Sequence, residues 1–329
     1  MTLTTYGTIS QRTAAYVNRE MLKHAEPVIV LQKLGKTSPV PMNTADTMKF
    51  RRPTPFSANT VPLAEGVTPT AQAMAYVDVT VQLLQYGGLV TVSDKVEDTN
   101  EDPVLNNAAE LLGEQAGATS EAIVYNVVKA GTTVAYANGT ARNQVNTAIT
   151  LNKIRAVIRT LKNNKAKMLT KVLDASPGYG TSAVEAGYVA VCHTDCEADI
   201  RGLAGFTPTA EYGSRKTISD YEFGSVENVR FLTSPDLGSF ADAGGAKGTM
   251  KSTTGTSADV YPIMFFGQDA FACVPLKGKY SLTPTVVSAK PSDSDPLAQR
   301  SHVGYKFYFA AVILNQTWMD RLEVAVTDL

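Results

Sequence analysis

The sequence predicts an α+β fold with a projecting two-stranded arm and one long helix, and three observations predict it. Residues 47–53 and 75–83 alternate apolar with polar side chains on either side of a proline-rich stretch. Apolar positions at helical spacing run from Leu105 to Val127. After residue 186, short apolar runs alternate with helix caps and turns. The chain has 329 residues, enough for one large irregular domain or two to three ordinary ones, and its 44% apolar content supports a real core.

Residues 10–34 begin in a helical pattern. Ala14, Val17, Met21 and Leu22 recur at steps of three and four, Ser10 or Thr13 can cap them, and Pro27 ends or kinks the helix. In TMKFRRP, Met48 and Phe50 oppose Lys49 and Arg51. In AYVDVTVQL, Val77, Val79, Val81 and Leu83 share one face, and Tyr76, Asp78, Thr80 and Gln82 the other. The two runs predict a long hairpin with an irregular tip, and an isolated hairpin is marginal in water, so this one needs something to lie on. The helix over 103–130 follows from Asp102 as cap, Pro103 at the first position, a stripe of Leu105, Ala108, Leu112, Ala116, Ile123 and Val127, and Gly131 as stop. A helix over 151–165 turns Ile154, Val157, Ile158 and Leu161 inward. GYVAVC, VRFLTSP and YPIMFFG read as strands. The segment HVGYKFYFAAVILNQTWMDRLEVAV reads as a pair of strands turned near Asn315. Composition makes residues 241–259, rich in Gly, Ser and Thr, a flexible loop.

The chemistry is notable for what is missing. Lys plus Arg number 30 against 31 Asp plus Glu, which argues against nucleic-acid binding as the main activity. Three cysteines without an apolar leader read as reduced thiols, and no apolar run is long enough to span a bilayer. In VCHTDCEADI, Cys192, His193 and Cys196 lie within five residues, but zinc needs about four ligands and a second pair is absent. The stretch reads as a strand followed by a helix with Thr194 and Glu197 as a capping box. Nucleophile elbow, phosphate loop, paired-histidine zinc helix and dinucleotide fingerprint are all missing, and VEDTNED (96–102) lacks the glycine of a calcium loop. No catalytic, cofactor-binding or metal residue is expected, and no enzyme. Lys49, Arg51 and Arg52 in KFRRP read as a salt-bridging face rather than a nucleic-acid contact. Trp318 fits a core anchor and a subunit contact equally well.

The ordered set MKFRRP, PLAEGVTP, QYGGLVTVSD, CHTDCEADIRGL, EFGSVENVRFLTSP and WMDRLEV resembles the major capsid proteins of tailed bacteriophages, the Hong Kong 97 fold, in its podovirus-like branch. The resemblance implies an N-terminal arm (1–35), an extended E-loop hairpin (36–92) and a spine helix with the peripheral domain (93–185). It further implies a mostly axial domain (186–290) and C-terminal strands returning to the core (291–329). It implies a homo-oligomer of hexamers and pentamers in an icosahedral head around double-stranded DNA that the lining contacts weakly. The expected partners are a separate scaffolding protein, since the start of the chain leaves no room for a long scaffolding segment, a portal protein and decoration proteins. The expected location is the virion, with assembly in the host cytoplasm and no membrane. Lys49, Phe50, Arg51, Arg52, Glu65, Trp318 and Arg321 are the candidate interface residues. Lys36, Lys49 and Glu65 are too common in type to imply a covalent cross-link. The competing readings are an encapsulin-like nanocompartment shell and an enzyme using Cys192, His193 and Cys196.

Overall fold

The computed structural model describes residues 29–63, 65–95, 104–169, 187–213, 217–277, 283–287, 289–291 and 296–329. The helix expected over 10–34 lies mostly outside them, as do the VEDTNED run and the expected caps Asp102 and Pro103. In chain order the elements are α1 (Leu31–Leu34), β1 (Lys36–Thr37), β2 (Thr47–Pro53), β3 (Tyr76–Gln82), β4 (Leu84–Ser93), α2 (Val104–Lys129) and β5 (Val134–Tyr136). Then come α3 (Leu151–Asn163), β6 (Tyr188–Cys192), α4 (Glu197–Arg201), β7 (Phe206–Pro208), β8 (Glu222–Val226) and β9 (Val229–Thr233). The last are β10 (Tyr261–Phe266), β11 (Phe271–Pro275), β12 (Thr283–Val287), β13 (Arg300–Ile313) and β14 (Met319–Val324).

The strands form three sheets. A seven-stranded sheet runs β5-β14-β10-β6-β9-β8-β7, and a five-stranded sheet is built on β13, which pairs with β4, β11 and β12, while β1 adds to β11. The third sheet is the β2–β3 hairpin alone. In the large sheet β6, β10 and β14 are buried at every position, because helices cover both faces. Alternate residues serve opposite cores: Tyr188, Ala190, Ile263 and Phe265 meet Ile154, Val157, Ile158 and Leu161 of α3. Val189, Val191, Met264 and Phe266 meet α2 instead. The four inward positions expected of α3 are the four it buries.

Helix α2, about 39 Å long at 1.5 Å per residue, joins the two larger sheets. Its buried face is Ala108, Ala109, Leu112, Ala116, Val124, Tyr125 and Val128. The stripe expected through Ile123 and Val127 is therefore one residue out of phase in its second half. The cause is that Ser120 and Glu121, both polar, occupy the buried face between Ala116 and Val124.

One further expectation holds and two are corrected. The closing strands do turn near Asn315, whose side chain accepts from the N–H and hydroxyl of Thr317. They do not pair with each other, because β13 belongs to the five-stranded sheet and β14 to the seven-stranded one. The loop 241–259 is built rather than loose. Asp242 accepts from Ser252 and Thr254, Asp259 accepts from Thr253 and the Asp242 N–H, and the bridge from Phe240 to Val260 closes it. The cap after β6 is His193, whose Nδ1 accepts from the Asp195 N–H, so the Thr194–Glu197 box does not form. Glu197 pairs with Arg201 one turn on.

Candidate assembly surface

The arm is β2 and β3 in unbroken antiparallel register from Thr47 opposite Gln82 to Pro53 opposite Tyr76. That register sets Arg51 directly across from Asp78. The Asp78 carboxylate takes Arg51 at 2.9 Å and Lys49 at 3.0 Å, and these two cations hold its pKa down at about 2, Arg51 contributing most. Two of the candidate cations are thus satisfied within the arm. Phe50, half-buried on the opposite face, packs with Met48 and Val81 on a small core of Val40, Leu83, Val274 and Ala310, which roots the arm to the body.

Beyond Thr54, whose N–H donates to the Ala75 carbonyl, the described residues of the tip join no strand. Pro55, Pro62 and Pro69 each lack the N–H that a ladder needs, so the tip cannot continue the hairpin. Its apolar side chains stand in solvent: Phe56 is 56% exposed, Val61 73%, Leu63 72%, Val67 64% and Met74 65%. Glu65, also exposed, is the single charged residue between 54 and 75 and sits in a turn that Gly66 completes at φ 77°. Apolar side chains left in solvent along one loop make that loop a candidate interaction surface.

A cleft of about 220 Å³ opens where the arm meets the body. Phe50, Val77 and Trp318 supply apolar walls, and Lys36, Arg52 and Asp269 the charge. Trp318 is half-buried, its Nε1 donates to the Asn164 carbonyl, and the Arg52 guanidinium stacks 5.9 Å from its ring. Trp318 therefore combines an anchor to the fold with a face turned to the cleft. Arg321, by contrast, is only 7% exposed; it pairs with Glu323 and donates to the Lys129 carbonyl, so it belongs to the interior and not to any surface. Asp78, missed as the arm's counter-ion, was readable from the register that places it opposite Arg51.

Cys192 and Cys196 are 0% and 1% exposed, and burial pushes both thiols well up from their ordinary range. Among the described residues no three His, Cys, Asp or Glu side chains are grouped to hold a metal. Nor is any described helix long and apolar enough to cross a membrane.

A family model for phage capsid protein matches residues 76–316. The chain belongs to the phage capsid protein family. No curated protein sequence matches this capsid protein, but solved structures do. The capsid of Ralstonia phage GP4 aligns at TM-score 0.69 with 11% identity over 90% of this chain and 88% of that one. The capsid of cyanophage Pam1 aligns at 0.65 with 13% identity over 93% of each chain. The head protein of Helicobacter pylori bacteriophage KHP40 aligns at 0.58 with 10% identity over 88% and 87%. Identity this low carries the fold alone, and the fold of this capsid protein is the Hong Kong 97 type expected from its ordered segments. The family match also favours a phage shell over the nanocompartment reading.

Proposed function

We propose that this capsid protein is the repeating major subunit of an icosahedral head, arranged as hexamers and pentamers around double-stranded DNA. The observation that carries the proposal is the arm tip, whose apolar side chains stay mostly exposed among the described residues. Laid over a neighbour, they leave water, and each fully buried side chain of this kind contributes about 1.5–3 kcal/mol. Symmetry repeats the contact around the shell. In this reading residues 36–92 form the loop that reaches the neighbour, 93–185 the spine and peripheral region, and 186–290 most of the axial region. Phe50, Arg52 and Trp318 line a receiving cleft, and Glu65 supplies the carboxylate that suits the cations there. The near-neutral charge suits a lining that contacts packaged DNA weakly. The partners are a separate scaffolding protein, a portal protein and decoration proteins, the place of action is the virion after assembly in the host cytoplasm, and the role is structural rather than catalytic.

The test replaces residues 54–75 by Asn-Gly, joining Pro53 to Tyr76, which already face each other in the ladder. The expected product is a soluble subunit with the circular dichroism of the wild type that forms no closed shells in negative-stain microscopy. Normal shells from this variant would remove the arm from the assembly mechanism. A wild-type chain that stays monomeric with and without its scaffolding partner would remove the shell reading itself.

A further inference from the structure

Residues 30–40 form a strap across the body. Val30, Leu31 and Leu34 are buried beside α2, and β1 runs parallel to β11 with Thr37 opposite Cys273. Ser38 N–H donates to the Cys273 carbonyl and Val40 N–H to the Pro275 carbonyl. The fit is close, since a Cβ on Gly35 would stand 2.6 Å from the Phe271 ring and 3.2 Å from the Cys273 Sγ.

The leading end of the strap is held differently. Glu121, in the middle of α2 and 0% exposed, accepts the Leu31 N–H at 2.7 Å and the Val30 N–H at 3.3 Å, both on Oε1. No side chain within the strap caps α1, so this distant carboxylate serves as its cap. The other oxygen, Oε2, is buried with no partner. No described cation pairs with Glu121. Of the groups facing it, Asp236 after β9 carries the same sign and Cys273 of β11 is a thiol, while Lys33 of α1 is exposed to solvent.

We propose that Glu121 is a proton-operated latch, clamping the strap on α2 when it carries a proton and loosening the strap when it is ionised. Burying a carboxylate charge without a cation is costly, and a protonated Glu121 keeps a carbonyl oxygen for the two N–H groups while shedding that cost. Burial accordingly raises the Glu121 pKa to about 7, against the pull of the Leu31, Val30 and Gln32 N–H groups, with Asp236 adding to the rise. With the strap open, Glu121 meets water and titrates in the ordinary carboxylate range. Closing therefore takes up a proton, and the closed form is favoured most below that range. Its advantage falls about tenfold per pH unit up to about 7 and is flat above.

Cys273 reports the motion, because its Sγ lies under the strap at Gly35 and the residue is only 2% exposed. The full-length protein is pulsed with iodoacetamide between pH 5.5 and 8.5, and modification at Cys273 is located by peptide mass spectrometry. Rates are divided by those of a free cysteine peptide at each pH. The expected wild-type rate rises roughly tenfold or more from pH 5.5 to 7.5 and then levels. Glu121→Gln keeps the accepting oxygen without the charge, and its corrected rate should be slow at every pH. A flat wild-type profile, or a Glu121→Gln profile that follows the wild type, would overturn the latch. Should the variant fail to fold, amide exchange of residues 31–38 in the wild type, corrected for intrinsic rates, decides alone. Protection lost as pH rises to 7 supports the latch, and protection independent of pH refutes it. The result does not depend on whether the protein forms shells.

Discussion

Two carboxylates in this protein each hold two cations, and burial separates their consequences. Glu323 is 0% exposed and takes Arg142 through two bonds, at 2.7 and 2.8 Å, and Arg321 at 2.9 Å. The cluster ties β14 to the C-terminal end of α2, where Arg321 donates to the last helical carbonyl, that of Lys129. Glu323→Gln leaves two guanidiniums facing each other without a countercharge, one of them buried, and should cost about 3–5 kcal/mol of unfolding free energy in urea titrations. Asp78 is held by the same number of cations but in open solvent, where screening and side-chain entropy absorb most of the gain. Asp78→Asn should leave the urea midpoint unchanged within error. Equal losses from the two variants would show that charge count and not burial decides. In the sequence the two sites look alike, an acid between two apolar residues of a strand; the difference becomes visible only when the sheet takes Glu323 out of water.

At the scale of elements, what could be read from the sequence was local pattern, and what could not was the choice of distant partner. The arm was readable because alternation over 47–53 and 76–82 fixes faces, and the register follows from those faces. The α3 stripe was readable because every buried position is apolar. In α2 the pattern slipped at Ser120 and Glu121, polar residues that stand inside because one serves its own helix and the other caps the strap. Nothing local to β13 and β14 shows that they part into separate sheets; that outcome is set by β4, β10 and β11, which lie far away in sequence. One close approach between elements also escapes pattern reading. In β4, a Cβ on Gly88 would sit 2.6 Å from Gln115 Oε1 of α2 and 2.8 Å from the Tyr305 ring of β13. Gln115 can swing aside, but the ring is fixed by its stack on Phe307. Gly88→Val should therefore lower stability by about 1–3 kcal/mol, seen as a shifted urea midpoint. An unshifted midpoint would mean that α2 and β4 are less tightly packed than their separation implies.

For the whole molecule, the question is which force closes the shell, and the distribution of charge constrains the answer. Lys49 and Arg51 are already paired inside the arm, and Arg321 inside the body, so few of the arm's cations are left to reach a neighbour. The arm tip carries five exposed apolar side chains and a single charge. Association through such a surface gains free energy by removing apolar area from water, a term that simple salt does not screen. Pairing of Glu65 with Arg52 or Lys36 would add to it, but between exposed groups such a term shrinks as the Debye length falls from about 10 Å at 0.1 M salt to about 3 Å at 1 M. Raising sodium chloride over that range should therefore leave the association threshold, followed by light scattering and sedimentation velocity, unchanged or slightly lowered. Shells that dissociate in 1 M salt would transfer the closing force from the apolar tip to ion pairs between subunits, and Arg52 and Lys36 would then be the residues to neutralise next.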